Sequence, residues 1–140
     1  MIMDIVIERK NVVDRLRKVT AHLGMKLAAP ELLAATADDD VKVDVMYSAS
    51  LVELLNVMLP YASLVRGKDS DTFILDVPSN WKSAQAGALS AFCEEFVSVS
   101  LVARWLDFVK SDSASLYRVL NKENASAITH ILLLRDKPLR

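Results

Sequence analysis

Four sets of side chains in this sequence are of types that do chemistry, and the spacing each chemistry requires decides what they are for. Asp38, Asp39, Asp40 and Asp44 supply the hard oxygen ligands that calcium takes. An EF-hand loop also needs a glycine at its sixth position and a bidentate glutamate at its twelfth, and neither follows. The aspartates fit better at the start of a helix, where carboxylates accept from free N–H groups and complement the dipole. A carboxylate-bridged metal pair needs Glu-x-x-His on two helices, but Val19 and Ala127 stand three residues before His22 and His130. No metal site is expected.

Cys93 is a candidate nucleophile by type alone. It lies between Phe92 and the Glu94–Glu95 pair, and neighbouring negative charge raises a thiol pKa and lowers its reactivity. A buried, small apolar role is the better reading. Glu94 and Glu95 themselves diverge by about 100° around a helix and form no acid–base dyad. No glycine-rich phosphate loop, nucleophile elbow or dinucleotide fingerprint is present. The expectation is a protein that is not an enzyme, with no catalytic residue, no cofactor and no small-molecule substrate.

Charge offers one more reading. Residues 1–27 carry six basic and three acidic groups, and residues 111–140 five and three. Arg9, Lys10, Arg15, Arg17 and Lys18 form a candidate basic face for phosphates, and a small nucleic-acid-associated regulator is the alternative function. The whole chain has a net charge of −1, whereas nucleic-acid modules are usually far more lopsided. The helix-turn-helix-like stretch around Gly24 places Pro30 inside the would-be recognition helix and offers base edges almost no amide or basic side chains. Nucleic acid is therefore disfavoured as a partner.

The elements that would hold these residues read as helices. With 140 residues, 52% of them hydrophobic, one domain with a real core is expected over residues 1–140. Three glycines and four prolines, against roughly ten and seven from average usage, point to few, long elements. One cysteine excludes an intrachain disulfide. The amino-terminal residues lack the charge order of a signal peptide, and no apolar run reaches the ~18 residues of a membrane span. A cytoplasmic protein, or one built into a phage-like particle, is expected, with no membrane partner.

The pattern predicts an all-α fold, an antiparallel bundle of four main helices with a short extended or hairpin segment near residues 72–78. Helix one covers residues 1–27, on a stripe of Val12, Leu16, Val19 and Leu23, with Gly24 as a candidate stop. A connection follows over residues 28–40, with a short turn at 31–35. Helix two covers 41–65, with Pro60 kinking or ending it. Residues 66–79 break the helical pattern. The central helix spans residues 81–110, capped by Ser79 or Asn80, with Trp81, Ala88, Phe92, Phe96 (or Val99), Val102 and Leu106 near one face. Its alanine- and Gly87-containing first half is slim enough for close helix packing. From Phe96 onward it is apolar on most sides, as buried helices are. The last helix, residues 114–134, carries a stripe of Leu116, Leu120, Ala127, Ile131 and Leu134 and pairs with the central one as a hairpin.

Within residues 73–138, the segment ending in Pro78-Ser79-Asn80, the step Ala103-Arg104-Trp105-Leu106, and Arg135 with Pro138 resemble a group of small helical proteins. These are encoded in prophage-like gene clusters of gut Bacteroidales and are associated with virion head–tail or tail assembly. The resemblance implies a structural role in assembly and brings no catalytic residues. The residues point the same way, since the second helix carries more apolar surface than a small bundle must hide. Met46, Tyr47, Met58, Tyr61 and Leu64 form the candidate partner surface, for another protein or a second copy of the chain.

Overall fold

The computed structural model describes residues 1–26, 35–36, 39–69, 72–109 and 111–136. The turn expected at 31–35 for all but Ala35, and the positions of Pro30, Asp38, Lys110 and Pro138, lie outside the described residues. The chain runs β1 (Ile2–Val6), α1 (Arg9–Lys26), α2 (Asp40–Met58), β2 (Ser63–Asp69), β3 (Thr72–Asp76), a 3-10 turn (Ser83–Gln85), α3 (Ala86–Phe108) and α4 (Ala114–Leu133). The protein is mostly helical, with four helices among the described residues. It also contains a three-stranded antiparallel sheet in the order β1-β3-β2, so the all-α expectation is corrected.

The sheet arises from a two-residue period at the amino terminus. Met3, Ile5 and Ile7 are buried while Ile2, Asp4 and Val6 face out, the alternation of a half-buried strand rather than a helix. Ile5 pairs with Phe73 and Met3 with Leu75, so the inward rows of β1 and β3 form one apolar face. Helix one consequently begins at Arg9, not at the first residue. It runs through Gly24, which is buried inside it and does not stop it. Its core line is Val12, Leu16 and Thr20, with Val13, Val19 and Leu23 partly buried beside it.

Pro60 ends helix two. The last helical residue is Met58, the chain turns through 59–61, and residues 63–65, expected in the helix, belong to β2. Trp81 is likewise outside the central helix. It forms an isolated antiparallel bridge with Arg135, and its Nε1–H donates to the Ile131 carbonyl at 3.0 Å. Neither Ser79 nor Asn80 caps α3, which starts at Ala86 behind the 3-10 turn.

Helix α3 is the centre of the molecule and packs against α1, α2, α4 and β1. From Phe96 to Leu106 every residue but Arg104 is buried, as the apolar run anticipates. The first half departs from expectation. A side chain at Gly87 would meet nothing within 4 Å, so no neighbour approaches at that residue, although Ala86 and Ala88 pack partly buried against the core. Leu89 and Cys93 face the core while Phe92 is exposed. Trp81 beside the end of α4, and Asp107 paired with Arg118 near its start, show that α3 and α4 run in opposite directions. On α4 the buried line is Ala114, Asn121, Ile128, Ile131 and Leu132, and the predicted stripe members Leu116 and Leu120 are exposed.

The helix Ser83–Phe108 is long and apolar enough to cross a membrane by length and composition alone, and 56% of its most apolar window is buried inside the protein.

Candidate functional site

The sequence-predicted basic face does not form a free cationic surface. The Arg9 guanidinium pairs with Asp44 and stands over the Tyr47 ring at 5.2 Å. Arg17 donates to Asp40 at 2.8 Å. Arg15 forms a forked pair with Glu95, one arm at 2.9 Å. Lys10 and Lys18 are exposed. A groove of about 450 Å³ between α1 and α2 is lined by Arg9, Lys10 and Arg17 and equally by Asp14, Asp40 and Asp44, with Val13 and Val43. Its formal charge is zero, unlike a phosphate-tracking stripe.

Asp39 and Asp40 stand at the start of helix two as expected, at the N-cap and in the first turn, but their side chains bond elsewhere. Asp39 accepts from the Thr36 backbone N–H at 2.9 Å and makes no side-chain cap bond to its own helix. Asp40 is the partner of Arg17. Among the described residues no three His, Cys, Asp or Glu side chains group closely enough to hold a metal ion.

Cys93 is fully buried and its Sγ lies 3.8 Å from the Met58 Sδ. Desolvation pushes its thiol up to about 12, the reverse of what nucleophilic activation requires. Glu94 and Glu95 diverge as a helix demands. Glu94 accepts from the Glu8 backbone N–H at 3.2 Å, while the hydrogen bond from Arg15 holds the Glu95 carboxyl below the usual range against opposing desolvation. The same bond raises Arg15.

The predicted partner surface separates. Tyr47 and Met58 are 1% and 0% exposed, members of the core, and Met46 is partly buried against it. Tyr61 in the turn and Leu64 on β2 are exposed, but the break at Pro60 takes them off the helix. Their helical spacing is real only as far as Met58.

What the sequence reading missed is a cleft of about 410 Å³ between α2, α3 and α4. Val57, Phe96, Ala103 and Ala125 give it apolar walls, and Glu53, Ser100, Arg104, Asp107, Arg118, Asn121 and Lys122 supply polar groups. Glu53 Oε2 accepts from Ser100 Oγ at 2.8 Å and from Arg104 Nη2 at 2.9 Å. Asp107 pairs with Arg118. Asn121 is buried in the cleft wall and its Oδ1 accepts from Asn124 Nδ2 at 3.3 Å. Arg104 Nε is buried without a hydrogen-bond partner, alone in this among the described side-chain atoms. The signal was partly present, because a charged residue inside the apolar run of α3 demanded a carboxylate on a facing helix. Which helix would supply it, and that α4 would line the same space, required the packing.

No protein-family model, curated protein or solved structure matches the chain.

Proposed function

We propose that this protein is a non-enzymatic contact protein, its helices arranged as an antiparallel bundle around α3, and that the outer face of α2 seats another protein chain. The supporting observation is a row of exposed apolar residues on α2 and its C-cap residue Leu59. Val41, Val45, Val52 and Leu59 are 80%, 69%, 56% and 45% exposed. Their spacing of four, seven and seven, with Ser48 between Val45 and Val52, follows the seam positions of a helix that pairs with a second helix. Exposed apolar rows of this kind mark interaction sites. The face adjoins the residues picked out from sequence, displaced around the same helix because Tyr47 and Met58 turn inward. An assembly role in a phage-like particle, at a head–tail or tail joint, accords with such a surface and with the resemblance of residues 73–138.

Light scattering on the full chain at about 10–200 µM, with and without co-expressed products of the neighbouring genes, tests this. A species heavier than the 15.5 kDa monomer is expected, reverting to monomer when Val45→Lys and Val52→Lys are combined. A strict monomer that also recovers no neighbouring gene product, or a complex indifferent to the double substitution, overturns the reading.

A further inference from the structure

We propose that the free edge of β1 is a docking site for an extended segment of another protein, one that alternates aliphatic and basic residues, a role independent of the contact face on α2. The ladder shows which groups this edge offers. Met1 and Val77 exchange both backbone hydrogen bonds, at 2.8 and 2.9 Å, and the register continues unbroken from Ile2 opposite Asp76 to Val6 opposite Thr72. Hydrogen-bonded and non-bonded pairs alternate along an antiparallel ladder. Met3 and Ile5 therefore bond to β3, while the N–H and C=O groups of Ile2, Asp4 and Val6 point away from the sheet. β1 stands at the end of the order β1-β3-β2, with β3 on one side and α3 across its inner face. No described residue bonds those outward groups.

Proteins usually blunt such edges with bulges, prolines or charges. The opposite edge is treated in that way, since β2 is interrupted by register shifts between Leu64 and Arg66 and between Gly67 and Asp69. β1 has neither a shift nor a proline. Its outward side chains are Ile2, 59% exposed, then Asp4, also exposed, and Val6, 48% exposed. Asp4 decides the occupant. Two copies of β1 joined antiparallel pair all three open residues only if the two Asp4 carboxylates stand directly opposite, and like charges so placed are destabilising. A slip of two residues sets Asp4 against an aliphatic side chain and loses an open pair. Slipping toward Glu8 recovers nothing, because that N–H already donates to Glu94. A foreign segment with lysine or arginine opposite Asp4, and aliphatic residues opposite Ile2 and Val6, complements the whole row. Strand addition takes its affinity from main-chain bonds and its specificity from alternate side chains.

The probe is the acetylated and amidated peptide Thr-Val-Thr-Lys-Thr-Val-Thr, with glutamate in place of lysine as the control. Each is added to the full chain and followed by ¹H–¹⁵N correlation spectra and amide hydrogen exchange. Without peptide, the Asp4 N–H should exchange faster than those of Met3 and Ile5. The lysine peptide should give saturable shifts along β1 and slow exchange at Asp4 roughly fivefold at four times its Kd. The glutamate peptide should bind about threefold or more weakly, and Asp4→Lys should reverse that order. Val6→Pro deletes an outward donor without touching the β3 ladder, as edge prolines do, and should weaken binding about threefold or more. Both variants must keep the dispersed spectrum of the folded chain, and if Val6→Pro does not, the reversal at Asp4 alone decides. Val45→Lys combined with Val52→Lys should leave peptide binding unchanged, which separates this edge from the face on α2. Absence of a saturable shift up to about 10 mM, shifts without protection of Asp4, or an unreversed charge preference overturns the proposal. Protection of Asp4 that rises with protein concentration in the absence of peptide also overturns it, and assigns the edge to a second copy of the chain.

Discussion

The forked contact between Arg15 and Glu95 acts on both partners, raising the Arg15 guanidinium and lowering the Glu95 carboxyl. It ties α1 to α3 and occupies the Arg15 guanidinium. Both side chains remain about two-fifths exposed, so solvent screens the pair and its worth is that of a good surface bridge, roughly 0.5–1 kcal/mol. The sign of its pH dependence follows from the depressed Glu95 carboxyl. In the unfolded chain that group titrates at the ordinary glutamate value. Folding therefore gains from it above this value, and the gain disappears as pH falls through the lower folded pKa. Urea unfolding of Glu95→Gln against the parent should show the parent more stable at about pH 7 by that margin, with the difference closing toward about pH 3. A gap that stays constant with pH would mean that packing of the glutamate stem, rather than its charge, joins the two helices.

At the scale of the elements, the tryptophan before α3 and the phenylalanine within it show how a shared sequence stripe can divide. Trp81 is buried, bridges to Arg135 and donates to a carbonyl of α4, so it fastens the start of the α3 segment to the end of α4. Phe92 is 37% exposed. Trp81→Ala should cost about 3–5 kcal/mol in urea unfolding, whereas Phe92→Ala should cost about 1 kcal/mol or less. Comparable losses would contradict the different placements of the two rings. Much of the helical plan was legible, because Val43, Tyr47, Leu51, Leu54 and Met58 keep a true helical period and the run from Phe96 is apolar all round. β1 was missed although Met3, Ile5 and Ile7 alternate cleanly. The basic run that follows, with the stripe from Val12, makes those residues read as the first turns of a helix, and only pairing with Phe73 and Leu75 across seventy residues of chain decides otherwise. The cleft was less legible still. Its polar residues lie on three helices, and Glu53 and Arg104 are 51 positions apart, so no local spacing announces them.

For the molecule as a whole, β1 and α4 close the structure around α3. The amino-terminal group bonds to the Val77 carbonyl at 2.9 Å and to Asp76 at 3.1 Å, and the Asp136 backbone N–H donates to the Asn80 carbonyl at 2.7 Å. Both ends of the described chain thus converge on the segment between β3 and α3. Long-range ties of this kind join the helices and the sheet among the described residues, and a small protein so tied is expected to unfold in one step. Cys93 is well placed to test that unity. It sits where α2 and α3 meet, fully buried against Met58, with its thiol pushed up to about 12 by desolvation. No fraying of an end exposes that position, and even a locally admitted reagent would meet a thiol rather than a thiolate. Labelling with a disulfide reagent at about pH 8, where a free thiol reacts readily, should therefore proceed only through global opening. Its free energy, obtained from the ratio of native to unfolded labelling rates, should equal that of urea unfolding. A labelling free energy several kcal/mol smaller would show that α2 detaches from α3 as a separate unit, and the exposed apolar row on α2 would then belong to a helix able to leave the core and exchange partners.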